Sequence, residues 1–214
     1  MMGRPLEFAN LLQARFVQRP NRFLVRCELG GRRTVNAFLP NPGRMSELLL
    51  PDVTLYLTKR PNESVDDGRR RATEYTVLAV ERDGKPILVH THLTNEVARF
   101  LIEDGRIPEL AGAEVVRAEY AVGRSRFDFL LGKRRSDVYL EVKSCTLFGN
   151  RVAMFPDAVT ERGRRHLLEL ASHRRRGLQC CVLFVTHTLD IDWFMPYYHT
   201  DLAFSQPLLD VRHK

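Results

Sequence analysis

Lysine is scarce in this 214-residue chain: five of its 33 basic residues are Lys and the other 28 are Arg. Cysteine is scarcer, and the four present (Cys27, Cys145, Cys180, Cys181) show neither disulfide nor metal-ligand spacing. Cys180 and Cys181 are adjacent in an apolar run, where strand neighbours point to opposite faces, so they read as buried thiols. The seven histidines form no cluster with ligand spacing, which argues against zinc. No apolar stretch reaches ~18 residues and there is no secretory leader. These absences predict a soluble cytoplasmic protein with reduced thiols and no membrane partner. No internal repeat or low-complexity linker was found.

Acidic residues are also in deficit. The net charge is +7 and the pI about 9.5, which favours a polyanionic partner. Residues 1–90 hold 15 basic and 10 acidic residues, so much of the excess lies in the N-terminal part. Basic clusters at Arg32-Arg33, Arg69-Arg70-Arg71, Lys133-Arg134-Arg135 and Arg174-Arg175-Arg176 each sit beside a glycine, on predicted turns or a helix end. Such clusters serve as solvated loops or as phosphate contacts.

A chain of this length has room for one large or two small domains with real cores. Periodicity divides it near residues 90–93, giving domains 1–91 and 92–214. In the first, short runs at 22–28, 33–38, 53–57, 74–81 and 86–92 alternate or are apolar, with Gly, Pro and Asn between them. Five such strands suit a small barrel of the OB type, which often binds oligonucleotides. Phe16, Phe23, Phe38 and Tyr56 could stack on bases or fill the core. Pro40-Asn41-Pro42-Gly43 reads as a rigid turn.

In the second part, Thr94 reads as an N-cap, followed by the stripe Val97, Ala98, Leu101, Ile102 of a helix ending at Gly105. A strand over 113–121 and a hairpin come next, then a helix over 160–176 with Gly163, Leu167, Leu170 and Ala171 on one face. An apolar run over 178–187 reads as a buried strand reached by a crossover. The fold class is therefore mixed α/β.

The hairpin carries the chemistry. Arg-Phe-Asp-Phe-Leu-Leu (126–131) and Val-Tyr-Leu-Glu-Val-Lys (138–143) flank a polar six-residue turn, 132–137. Pairing Leu131 with Val138 and counting outward sets Asp128 opposite Glu141, with Lys143 on the face of Glu141. Opposed carboxylates repel unless a cation lies between them, and hard oxygen ligands suit Mg²⁺ or Mn²⁺. A lysine beside such a metal can hold a water for attack on a phosphodiester. The plainer reading is that Glu-x-Lys is alternating charge on the solvent face of a strand.

The stretches Gly-Arg-Ser-Arg-Phe-Asp-Phe-Leu-Leu (123–131), Val-Tyr-Leu-Glu-Val-Lys-Ser-Cys-Thr-Leu (138–147) and Phe-Pro-Asp-Ala-Val-Thr-Glu-Arg-Gly-Arg-Arg-His-Leu-Leu-Glu-Leu (155–170) closely resemble the sugar fermentation stimulation protein A family. Phe-Leu-Pro-Asn-Pro-Gly-Arg-Met (38–45) is similar to a further stretch of that family, with Leu39 for Cys and Pro42 for Thr. The resemblance, over about residues 5–201, implies an N-terminal OB-fold-like barrel followed by a restriction-endonuclease-like core of the PD-(D/E)xK type. It also implies DNA binding and regulation of sugar (maltose) metabolism genes. Asp128 and Glu141 would then hold Mg²⁺ or Mn²⁺, and Lys143 would be the catalytic lysine. Two departures stand out. Phe100 occupies a helix position where the family often has Glu, with Glu96 one turn earlier. The chain also stops at Lys214, where the family usually continues past Asp201 with a helix and a last strand.

Further candidates surround this centre. Glu119 lies in the preceding strand; Asp157, Arg162 and His166 lie in the most family-specific stretch, the last two sharing a helix face. Lys133, Arg134 and Arg135 at the hairpin tip, with Asn41, are the candidate nucleic-acid contacts. Two functions are expected: a metal-dependent phosphodiesterase acting on DNA, or a DNA-binding regulator on the same scaffold that cleaves nothing. RNA is a third ligand for an OB barrel. A homo-oligomer is compatible with either function.

Overall fold

The computed structural model describes residues 6–59, 73–123, 125–133 and 136–211. They form two compact units, Glu7–His92 and the chain from Leu93 onward.

The first unit is a closed barrel. Strands β1 (Leu12–Asn21), β2 (Leu24–Leu29), β3 (Arg33–Phe38), β4 (Thr54–Lys59) and β5 (Tyr75–Arg82) run β3-β2-β1-β4-β5 around the ring. The ring closes where β3 pairs in parallel with β5, Ala37 beside Tyr75 and Phe38 beside Thr76. Val25, Cys27, Ala37, Leu55, Leu57, Val77 and Val80 fill the interior and are inaccessible to solvent. A sixth strand, β6 (Lys85–Leu88), extends β5 as an antiparallel hairpin. The sequence-predicted strands begin at residue 22 and therefore omit β1. Its only inward residues are Ala14 and Phe16, and register shifts on either side of Gln18 break the alternation that marks a strand. The barrel's five strands are thus β1–β5, and the predicted fifth strand, 86–92, shrinks to β6 outside the ring.

The second unit contains α1 (Thr94–Glu103), β7 (Ala113–Val122), β8 (Ser125–Lys133), β9 (Ser136–Cys145), β10 (Leu147–Gly149), β11 (Val152–Phe155), α2 (Glu161–Arg175), β12 (Gln179–Thr186), β13 (Trp193–Pro196) and α3 (Leu202–Val211). Its main sheet has the order β12-β9-β8-β7. β7, β8 and β9 form an antiparallel meander, and α2 carries the chain across so that β12 lies parallel to β9. β9 is therefore flanked on both edges. A smaller sheet, β10-β11-β13, and α3 complete the unit. Sequence patterning did not show these elements, since strands of three or four residues carry no measurable period and Pro207 interrupts the helical pattern of α3.

One face of the main sheet is buried under α1. Ala98 and Ile102 pack on Phe129, Leu131, Val138, Leu140, Val142 and Val185. Full burial of a Leu or Phe contributes roughly 1.5–3 kcal/mol. A one-residue slip of β8 against β9 would turn these side chains out and carboxylates in, so the apolar face fixes the register. Thr94 does not cap α1 as expected. A 3-10 turn at Thr91–Leu93 leads directly into the helix, Leu93 occupies the cap position, and the buried Thr94 hydroxyl has no hydrogen-bond partner. Among the described residues, no helix is long and apolar enough to cross a membrane.

α2 starts on a conventional cap, the Thr160 hydroxyl accepting from Gly163 N at 3.1 Å. Asp201 ties this start to α3: one carboxylate oxygen accepts from Thr160 N (2.9 Å), the other from Phe204 N (3.0 Å). A Cβ at Gly163 would lie 2.7 Å from Thr160 Oγ1 and 3.4 Å from Phe204 Cε2. Gly→Ala inside a helix ordinarily stabilises by about 1 kcal/mol. Here the new methyl collides with the cap, so Gly163→Ala is expected to destabilise by about 1–2 kcal/mol in urea unfolding. A gain in stability would show that the cap does not hold α2.

Candidate functional site

The site forms where the β8–β9 ladder stops. Leu131 pairs with Val138 as counted from sequence, but pairing continues through Gly132–Asp137 to Lys133–Ser136. Residues 132, 133, 136 and 137 of the expected six-residue turn therefore belong to the strands. Two residues move into each strand, so the register is unchanged. In the other direction the ladder ends at Phe129–Leu140, one pair short of the Asp128–Glu141 pairing that counting predicts. Past this point β9 remains paired to β12, with Val182 beside Glu141 and Phe184 beside Lys143. β7–β8 pairing also resumes, with Tyr120 opposite Phe127. Asp128 thus sits in a split in the sheet.

Its carboxylate fills the split. Asp128 Oδ2 accepts from the backbone N–H of Val142 at 2.7 Å, and Oδ1 accepts from Asn95 Nδ2 of α1 at 2.9 Å. The β9 amide that the ladder leaves over is therefore paired with a side chain. Glu141, 4% exposed, faces α2 instead. Its Oε1 accepts from Lys143 Nζ and, at 2.5 Å, from His166 Nδ1 on α2. Because an ionised carboxylate only accepts, the proton of that bond is on His166 Nδ1. Both donors converge on one oxygen, and the other, Glu141 Oε2, is buried with no hydrogen-bond partner.

The two carboxyls differ in electrostatics. Burial raises Asp128 above the ordinary carboxylate range, and the nearby charge of Glu141 pushes it further, against the hydrogen bonds from Val142 and Asn95. Burial pushes Glu141 up as well, but the hydrogen bond from His166 and the charge and hydrogen bond of Lys143 outweigh it and leave Glu141 below its usual value.

An unpartnered buried carboxylate oxygen near a second carboxylate is chemistry that could hold a hard divalent cation such as Mg²⁺ or Mn²⁺. Among the described residues no group of three His, Cys, Asp or Glu side chains is arranged to enclose a metal. Two carboxylates with the remaining positions left to water or substrate is the usual pattern for Mg²⁺.

Of the residues expected from sequence, Asp128, Glu141, Lys143 and His166 come together. Glu119 does not join them. It is exposed, pairs with Arg126 at 3.4 Å, and has a left-handed backbone (φ 50°) in β7 at the level of Asp128. Asp157 is half-buried in the loop before α2, and Arg162 is exposed on the solvent side of α2. Lys133 donates to the Glu109 carbonyl at 2.5 Å. Asn41 is 3% exposed in the barrel, its amide donating to Val89 O (3.1 Å) and accepting from Gly43 N (2.9 Å), so its side chain is engaged internally. Arg134, Arg135 and the Arg69-Arg70-Arg71 cluster lie outside the described residues. Glu96 is exposed, and the α1 side chain that reaches the site is its neighbour Asn95. No sequence signal marked Asn95, because a lone amide in a helix's first turn has no charge or spacing to distinguish it.

Residues 92–214 match the family described as the sugar fermentation stimulation protein RE domain, and residues 17–89 match the SfsA N-terminal OB domain. The chain belongs to the sugar fermentation stimulation protein family. It is 37% identical over 200 residues to a homologue from Clostridium kluyveri, covering 93% of this chain and 84% of that protein. A homologue from Methanothermobacter thermautotrophicus is 38% identical over 199 residues, covering 93% and 80%. The structure of Pyrococcus furiosus SfsA in complex with Ca²⁺ aligns with a TM-score of 0.86 at 28% identity, over 97% of this chain and 86% of that one. The closed barrel of the first unit is consistent with the OB domain that the match names.

The lowered pKa of Glu141 makes its contribution to stability depend on pH. Its folded-state value lies below the ordinary 4.5, so its ionised contacts stabilise the fold at pH values above that range. The contribution is lost as pH falls through the folded value. Glu141→Gln is expected to cost about 1.5–3 kcal/mol at pH 7, the worth of hydrogen bonds to a buried charged group. Urea titrations of both proteins at pH 7 and at pH 3–4 check this, and the gap should narrow on acidification. A gap that stayed constant would mean the glutamate acts through packing alone.

Proposed function

We propose that the second unit is a divalent-metal-dependent phosphodiesterase centre acting on DNA, on a restriction-endonuclease-like core of the PD-(D/E)xK type. The observation that carries this reading is Glu141 Oε2, a buried carboxylate oxygen without a partner, next to Asp128 and with Lys143 on the same carboxylate. That a homologue of the same fold was solved with Ca²⁺, another oxygen-seeking cation, supports the reading.

Asp128 and Glu141 would hold the metal, which when bound supplies Lewis acidity toward a phosphodiester oxygen. Lys143 Nζ, on Glu141 Oε1, is the group in place to orient an attacking water and to offset developing negative charge. His166 fixes Glu141 from the α2 side, so that Oε2 is the oxygen presented. The net charge of +7 would draw the polyanion in.

A second reading is a DNA-binding regulator of sugar (maltose) metabolism genes that does not cleave. It is favoured by Phe100, which occupies the α1 position where the family often has Glu. Incubation with single- and double-stranded DNA in Mg²⁺ or Mn²⁺ separates the two. On the nuclease reading the wild type nicks or degrades DNA, and Lys143→Ala lowers the rate at least ~10²-fold, the usual contribution of a positioned catalytic group, while still binding metal. Glu141→Ala should weaken metal binding itself. Cleavage that Lys143→Ala leaves untouched comes from another site or a contaminant, and the regulator reading then stands.

Both readings require DNA binding dominated by phosphate contacts. Log K is expected to fall linearly with log salt, at a slope of about −0.9 per neutralised phosphate on duplex or −0.7 on single strands. Fluorescence anisotropy between 50 and about 200 mM salt measures it. No binding at the low end would leave the positive charge as solvated surface.

A further inference from the structure

We propose that Asn95 is the positioning residue for the cation site, holding the Asp128 carboxylate in the orientation that presents it to the ion. This rests on the reading of Asp128 and Glu141 as ligands and assigns a residue that reading does not include. The torsion that turns an aspartate carboxylate is broad and roughly two-fold, so one hydrogen bond leaves the group free to swing about it. Asp128 has two, from different elements: Val142 N of β9 on Oδ2 at 2.7 Å and Asn95 Nδ2 of α1 on Oδ1 at 2.9 Å. Together they fix the carboxylate plane, and each leaves its oxygen a second acceptor site, since a carboxylate offers about four.

Val142 N is part of the strand and cannot vary with the side chain. Asn95 is therefore the component of this clamp set by residue identity. Its own place is secured by α1, whose Ala98 and Ile102 are buried on the same sheet. The chemistry of the amide matters as well. A neutral donor orients Asp128 without competing for a cation. A carboxylate at position 95 would lie against Asp128 as a third negative group. Glu96, exposed in the same turn, makes no such contact. Side chains that orient metal ligands typically change affinity 10–100-fold when removed.

Calorimetric titration of the full chain with Mn²⁺ alone, without DNA, tests this, together with urea unfolding of each apo-protein. The expected result is that wild type binds Mn²⁺, that Glu141→Ala abolishes the binding, and that Asn95→Ala weakens it 10–100-fold. Asn95→Asp should bind Mn²⁺ at least as tightly as wild type while its apo form unfolds at lower urea, because the ion neutralises a repulsion that the apo-protein carries. Glu96→Ala should match wild type in both measurements. If Asn95 were only part of the helix start, Asn95→Ala would lose apo stability without changing the affinity of the folded protein, and Asn95→Asp would lose none, since an acidic side chain suits a helix's first turn. Wild-type affinity in Asn95→Ala overturns the proposal alone; absence of Mn²⁺ binding by wild type overturns it together with the ligand reading.

Discussion

The second unit depends on one exchange of hydrogen bonds. At Phe129–Leu140 the two central strands stop pairing, and the next free amide of β9, that of Val142, is taken by the Asp128 carboxylate instead of a carbonyl. An unpaired buried amide would cost about 1–3 kcal/mol, so the split is tolerable only because a side chain fills it. The same substitution brings a negative charge into the sheet. On the α1 side the apolar residues continue without interruption, Phe129 and Leu131 against Leu140 and Val142. The core thus fixes where the split falls, and the split defines the site.

Burying two carboxyls together has a cost, and the two are relieved unequally. Glu141 has a lysine and a histidine on one oxygen and is held ionised. Asp128 has only neutral donors and is raised by burial and by its neighbour. The local surplus of negative charge is what a divalent cation would relieve, because a bound ion lowers the energy of both ionised groups. A site optimised for the apo fold would have a second cation at Asp128 in place of an amide. Carboxyls whose environments push their acidities apart recur at functional sites, which agrees with the proposed role.

Much of this was legible in the sequence because it rests on local periodicity. Alternation over 126–131 and 138–143 gave the hairpin and its register, and the error in turn length did no harm because it was symmetric about the tip. The i, i+4 stripes gave α1 and α2, and the uncharged run after Gly177 gave β12. β1 was missed because a curved, bulged strand has no steady period, and β10, β11 and β13 because they are too short to have one. The end of the ladder was not legible, since nothing in the residue order says that Asp128 will bond to a backbone amide. Nor was Asn95, whose role exists only through the packing of α1. The internal hydrogen bonding of Asn41 was not legible either. Pro40-Asn41-Pro42-Gly43 reads as a rigid turn, and the Asn41 amide closes it from inside.

The placement of Glu141 extends the dependence to the far end of the chain. His166 can reach Oε1 only if α2 sits at the right height on the sheet, and that height is set at the helix start. Gly163 leaves room for Thr160 to cap the helix and for the Phe204 ring to approach, and Asp201 bonds both Thr160 N and Phe204 N. Phe204 is 1% exposed and packs edge-on against Phe155, whose strand β11 follows the hairpin. α3 is therefore tied to the start of α2, the helix that carries His166. Ligands held from behind by a rigid element need less reorganisation to receive an ion. In this unit the rigid elements are two: α1 behind Asp128, and the α2–α3 pair behind Glu141.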